Sequence, residues 1–386
     1  MNTKHRDILK PVCGLLFGMS LAAGSLAQSA LENEYPELAR LYDAFTVTHA
    51  AALDEVADIN SNPRIAAERQ DLRMELDMMK EMDHHQMMSM GHSAMGMSMS
   101  MDGPYGEFEA DARAELGRMV RREYNAEQVS DAYANAQSLP RHAAMVLSWG
   151  AQFERDLWNI WADPEMSVEE KSGATEDAIN EYQTGDAMHA ISVRPKPASL
   201  YLDHEHANGM KTAFPRISGL LWSNQWLQLA SLEAIILGQV DPQFAGRVDL
   251  TIERYNNKLG SETGMSVFPA PSELPTAPAI APSLYTQSQQ AAVILDNLNM
   301  LEAAIADIIA YPNLDADARE QAILEKVEQF TGEANADAEM DYLLSALRGG
   351  IFNQGGPAIG ELSGSERNRS RAAMDMQHTM IMSGPN

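Results

Sequence analysis

Ile217-Ser-Gly-Leu-Leu-Trp-Ser-Asn-Gln-Trp-Leu-Gln-Leu-Ala-Ser-Leu-Glu-Ala-Ile-Ile-Leu237 is the most apolar run of the 386-residue chain. Leu220, Leu221, Trp222, Trp226, Leu227, Leu229, Leu232, Ile235 and Ile236 surround a 3.6-residue helical turn on most sides, and a helix apolar all round is a buried one. A membrane span needs about 20 predominantly apolar residues. Here Asn224, Gln225, Gln228 and Glu233 interrupt the run. The segment therefore reads as a buried central helix, ended by Gly238, that other helices must cover.

The covering helices can be read on both sides. Leu38, Leu41, Tyr42, Phe45, His49, Ala52, Val56 and Ile59 recur at three- and four-residue spacing, one face of an amphipathic helix. Pro63 starts a second helix, Arg64 to about Met82. In it the i, i+4 series Met74, Met78, Met82 reads as packing. A third series begins near Gly106 and carries Leu116, Met119, Val120 and Tyr124. A fourth opens after Pro140, carries Met145, Trp149, Phe153, Leu157, Ile160 and Trp161, and closes at Asp163-Pro164. Beyond the central run, Ile294, Leu298, Leu301, Ile305 and Ile308 mark a helix ended by Pro312. Shorter helices are expected over 315–331 and 333–347. Residues 185–214 read as irregular, and Ala190 to Leu202 is the best candidate for a strand. The expected class is all-α: a helical bundle-like body, helix packed on helix, with a disordered Met/His-rich insertion and a flexible C-terminal tail.

That insertion is the least protein-like stretch of the chain. Residues 82–101 read Met-Asp-His-His-Gln-Met-Met-Ser-Met-Gly-His-Ser-Ala-Met-Gly-Met-Ser-Met-Ser-Met. Eleven of the 25 methionines lie between Met74 and Met101. A Ser/Gly-spaced run of this kind cannot pack as a core. Thioether sulfur is a soft neutral ligand that selects Cu(I), and imidazole also suits Cu(II) and Zn. The candidate metal ligands are Met82, His84, His85, Met87, Met88, Met90, His92, Met95, Met97, Met99 and Met101. Residues 374–382 repeat the pattern: Met374, Met376, His378, Met380 and Met382 alternate along the tail. An extended chain would place these five on one side.

The first residues indicate the compartment. Lys4, His5, Arg6 and Lys10 precede a short apolar stretch, Val12 to Ala23, and Ser25-Leu26-Ala27 is a small-x-small cleavage site. This is the layout of a secretory signal peptide, with Gln28 as the new N-terminus. The stretch is too short for a retained span, so no membrane anchor is expected after cleavage. Cys13, the only cysteine, leaves with it. Methionine keeps sulfur available where thiols are consumed as disulfides. Loss of the leader leaves about 359 residues with 25 basic and 54 acidic side chains, a net charge of −29. Such a surface disfavours nucleic acid and anionic lipid. The expected location is the periplasm or the medium.

Met/His segments of this style resemble those of periplasmic copper-resistance proteins. The resemblance covers the tract and the tail only and does not extend to the helical body. It implies Cu(I) as the ion gathered there, with Cu(II) at histidine and Ag(I) as companions, and a copper-receiving or copper-exporting protein as partner. Cupredoxins resemble the chain poorly, because they need a β-sandwich and usually a Cys ligand.

Other constellations are weaker. Asp203-His204-Glu205-His206, with Met210, supplies lower-ranked metal ligands in a loop before the central helix: Asp203, His204, His206 and Met210. His49 and His142 fall on or beside apolar faces and read as core histidines; His189 stands alone. A di-iron bundle requires two Glu-x-x-His pairs, and only Glu81-x-x-His84 is present. His-Glu-x-x-His, Gly-x-Ser-x-Gly, Cys-x-x-Cys and a phosphate-cradling Gly-rich loop are missing. The expected organisation is a leader (1–27), an N-terminal helical segment (28–82), the Met/His linker (83–103), a helical core (104–263), a Pro-rich linker (264–283), a C-terminal helical segment (284–348) and the tail (349–386). The leading reading is copper sequestration or delivery. One rival is a helical metalloenzyme or cofactor-binding protein using the Asp203–Met210 loop. Another is an envelope scaffold.

Overall fold

Short-range capping starts many of the helices. Ser29, Asn125 and Ser167 each accept from the backbone three residues on, while the Glu or Gln at that position reaches back to the cap. Ser288 and Asp315 cap with their side chains alone. Each such bond satisfies one of the free N–H groups of a first turn.

The computed structural model describes residues 29–81, 103–260, 274–332 and 342. These residues form fifteen α-helices and no strand. In chain order they begin with α1 (Ala30–Glu34), α2 (Pro36–Ser61) and α3 (Ala66–Glu81). After the Met/His tract come α4 (Gly106–Met119), α5 (Ala126–Ser130), α6 (Arg141–Ala162) and α7 (Val168–Gly185). Next are α8 (Ser199–Leu202), α9 (Gly209–Ala213), α10 (Pro215–Val240) and α11 (Arg247–Gly260). The chain closes with α12 (Ala277–Ile280), α13 (Pro282–Gln287), α14 (Gln289–Ala310) and α15 (Ala316–Thr331). No helix among the described residues is long and apolar enough to cross a membrane.

Helices α10 and α14 form the centre. Eighteen of the 26 residues of α10 and 18 of the 22 of α14 are buried, which puts both inside the bundle rather than on its face. Around them pack α2, α4, α6, α11 and α15 with the short α8, α9, α12 and α13. The central-helix reading of 217–237 holds, and the helix runs about a turn further than the apolar run.

Four helix starts have no local cap and are capped instead by buried carboxylates from other helices. Glu109 of α4 accepts from Arg216 N at 2.6 Å and Ile217 N at 3.1 Å, at the start of α10. Glu233 of α10 accepts from the N and Oγ of Ser283, both at 2.8 Å, at the start of α13. Asp296 of α14 accepts from Ala277 N at 2.8 Å, at the start of α12. Asp307 of α14 accepts from Met210 N at 2.8 Å, at the start of α9. Burial pushes Glu109 and Asp296 up to about 7 against the backbone bonds that favour their charge. Burial likewise raises Glu233 and Asp307.

Four expectations change. Residues 185–214 are not irregular throughout, since they hold α8 and α9. Ala190–Leu202 is not a strand. Asn297 of α14 holds it open, donating to the carbonyls of Ser192 and Arg194 at 2.9 and 2.8 Å and accepting from Lys196 N at 3.1 Å. One buried carboxamide thus replaces a partner strand, and Pro195 and Pro197 remove ladder donors. Met74 and Met78 are not packing residues: they are 55% and 57% exposed, because Leu72 and Leu76 form the buried stripe of α3. The Pro-rich stretch 264–283 is, from residue 277 on, helical: its prolines open α12 and α13 at the first turn, where a missing N–H does no harm. The leader, residues 264–273 and most of the helix expected over 333–347 lie outside the described residues.

Asn297→Ala is expected to lower unfolding free energy by about 2–4 kcal/mol, since it strands backbone groups of 192–196 in a buried setting. The check is a urea unfolding curve whose midpoint falls while its slope stays the same; an unchanged midpoint would refute the role.

Candidate functional site

The helical interior contains one strongly polar centre, assembled from four long helices and one turn. His49 of α2 places Nδ1 2.8 Å from both carboxylate oxygens of Glu302 on α14. Tyr133, from the turn after α5, donates its hydroxyl to Glu302 Oε1 at 2.7 Å. Gln225 of α10 donates to Oε2 at 3.1 Å. A turn along α10, Gln228 donates to Glu154 of α6 at 3.2 Å.

The two carboxylates differ in charge. Burial is the largest influence on Glu302 and pushes it up, but the His49 charge and hydrogen bond, with those from Tyr133 and Gln225, outweigh it. The net shift is downward, and Glu302 is ionised. Glu154 has no histidine beside it, and its contacts with Gln228 and Trp158 do not offset burial. Burial first, and the Glu302 charge second, push it up to about 8, so it is protonated at neutral pH. Between them, Thr46, His49, Tyr133, Glu154, Gln228, Asn299 and Glu302 help to line a cavity of about 20 Å³. A space of that size holds about one water. It can hold a proton and a solvent molecule, but no organic substrate. Reading the sequence identified His49 as a core histidine, which it is, but not its partners.

The Asp203–Met210 loop is held differently from the way a metal site requires. Asp203 and Glu205 face solvent. His204 Nε2 is 3.5 Å from Asp307 Oδ2, too long for a strong bond. His206 is buried with its ring edge-on to Tyr311 at 4.9 Å. Burial pushes its imidazole down to about 4, which keeps it neutral. Met210 is buried in the core. The loop's groups therefore diverge: Asp203 outward, the two histidines toward α14 and Tyr311, and Met210 into the core. Among the described residues no group of three His, Cys, Asp or Glu is placed to hold a metal ion.

The loop is nevertheless where the Met/His tract leaves and rejoins the body. On the leaving side, Lys80 of α3 donates to Tyr311 Oη at 2.6 Å, the same tyrosine that covers His206. On the returning side, Gly103 lies so close to Pro215 and the Ala213 carbonyl that a Cβ there would meet them at 2.6 and 2.8 Å. Gly103 N also bonds to Glu109, the carboxylate that caps α10. The candidate ligands in 82–101 and 374–382 lie outside the described residues.

Methionine is scarce in the core. Nine of the 25 methionines fall among the described residues. Of these only Met210 and Met300 are buried. Leu, Ile, Ala and the aromatics fill the interior instead. Comparison of the chain with protein-family models, with curated proteins and with solved structures finds no match.

Proposed function

We propose that the protein is an exported soft-metal carrier that sequesters or delivers Cu(I), and Ag(I) as its analogue, through the Met/His segments 82–101 and 374–382. The observation that carries this reading is one donor grammar repeated in two separate segments. Thioethers spaced by one residue around histidine suit a soft monovalent ion and serve no packing need. The sparing use of methionine in the helical core supports it, since the body draws little on this residue for packing. A chain left without cysteine in an oxidising compartment would rely on thioether for soft ligation. Many weak neighbouring ligands exchange ions readily, which fits buffering and hand-over to a receiving or exporting protein. The helical body is then the scaffold, with both ends of the tract tied to it near Tyr311 and Pro215.

The test is anaerobic Cu(I) titration of the mature protein against a chromogenic chelator, beside a full-length variant with the Met and His of both segments changed to Ser and Gln. Several equivalents in the intact chain, reduced to at most one in the variant, are expected. Equal binding by both would refute the reading. Thioethers carry no proton, so most capacity should survive at pH 5, while the histidine share fades below about 6.5.

A further inference from the structure

His142 and His189 are far apart in sequence and adjacent in space. His142 is the second residue of α6 and is half-buried. His189 follows α7 by four residues and is 4% exposed. Their ring centres are 5.2 Å apart and their planes are inclined by 55°. His189 therefore does not stand alone, and His142 is not a fully buried core residue.

Two imidazoles bound to one tetrahedral ion, each about 2.0–2.1 Å from it, have ring centres about 5 Å apart. The observed spacing of the ring centres, 5.2 Å, matches that distance. Asp186 Oδ2 lies 2.7 Å from His189 Nδ1. The contact is off the N–H direction, so it is electrostatic rather than a formed hydrogen bond, and that buried nitrogen has no well-aimed acceptor. A carboxylate beside a ligating histidine can help to orient its ring.

A thioether is at hand. Met145 is one turn after His142 on the same face of α6, and long helical side chains lean back over the preceding turn. It is 38% exposed, so its sulfur is not committed to the core. Met188, 71% exposed, directly precedes His189.

We propose that His142, His189 and Met145 form a discrete site for one soft monovalent ion, Cu(I) or Ag(I), on the helical body. Two imidazoles and a thioether suit such an ion, whereas Zn²⁺ asks for a fourth ligand. Asp186 is a positioning residue. The site goes beyond the Met/His segments and does not depend on their binding metal. A fixed three-donor site would hold one ion in a defined geometry, while the segments exchange several.

The experiment is Ag(I) titration of the full-length mature protein labelled with ¹⁵N-histidine, followed by long-range imidazole ¹H–¹⁵N correlation. His142→Gln and His189→Gln assign the two rings; if the second variant does not fold, the through-space contact of the ring at 5.2 Å from His142 assigns His189. Both resonances are expected to move together and saturate within one equivalent of their own. Met145→Leu should weaken that response about tenfold. If both stay fixed while the other histidines respond, or if only one moves, the site does not exist, and the reading of the segments is untouched. If these two respond and the histidines of 82–101 and 374–382 do not, the segment reading fails and this site stands. An unchanged response in Met145→Leu removes the thioether from the site and overturns the soft-ion assignment.

Discussion

Replacing Glu302 by Ala is expected to lower the unfolding free energy by about 3–5 kcal/mol, the range for breaking a buried ion pair by removing one partner. The side chain is 6% exposed and accepts from His49, Tyr133 and Gln225, which join α2, the turn after α5 and α10 to α14. Truncation would leave three buried donors without an acceptor and a cavity between helices. His49→Ala should also destabilise, since it removes the largest of the influences that offset the burial of Glu302 and opens a cavity beside it. The double variant should then lose much less than the sum of the two single losses, because the groups interact directly. Urea unfolding of the four proteins measures the coupling. Additive losses would mean that the 2.8 Å contact contributes little beyond packing.

Glu154→Gln is expected to change how stability depends on pH. The folded carboxyl is raised from 4.5 to about 8. A raised carboxyl binds its proton in the folded chain after the unfolded chain has lost it. Its contribution is fully present below about 4.5 and is lost as pH rises toward 8. Each tenfold change in proton affinity corresponds to about 1.4 kcal/mol, so the window spans on the order of 5 kcal/mol. The wild type should therefore lose more stability than Glu154→Gln between pH 5 and pH 8.5. Gln keeps the volume and can still accept from Gln228, so the two proteins should be similar at pH 5. Glu109 and Asp296, raised to about 7, slope the same way and remain in both proteins, so the difference isolates Glu154. Parallel stability profiles would show that Glu154 is ionised in the folded state.

The helical class and the positions of most of the long helices are legible along the chain, whereas Val168–Gly185, Arg247–Gly260 and the short helices were not read from it. The apolar spacing of 38–59, 145–161 and 294–308 falls on α2, α6 and α14. The readings that changed involve groups whose roles depend on distant partners. Nothing near Ala190 shows that Asn297 will take its carbonyls, so an extended stretch looked like a strand. The i, i+4 spacing of Met74 and Met78 is equally good for a buried or an exposed stripe, and Leu72 and Leu76 took the buried side. His142 and His189 looked unrelated because their meeting depends on how α6 packs beside the end of α7.

The amino-acid sequence by itself determined that the chain is helical, where most of its long helices lie, and that two segments carry a soft-donor pattern. Apolar periodicity and side-chain caps act over three or four residues, so they are written locally. Only the tertiary structure decided which carboxylate caps which helix and which stays charged. Glu109 meets α10 across 107 residues, and Glu302 meets His49 across 253. The donors that surround a buried carboxyl set its charge and its use, and those donors come together only when the helices have packed.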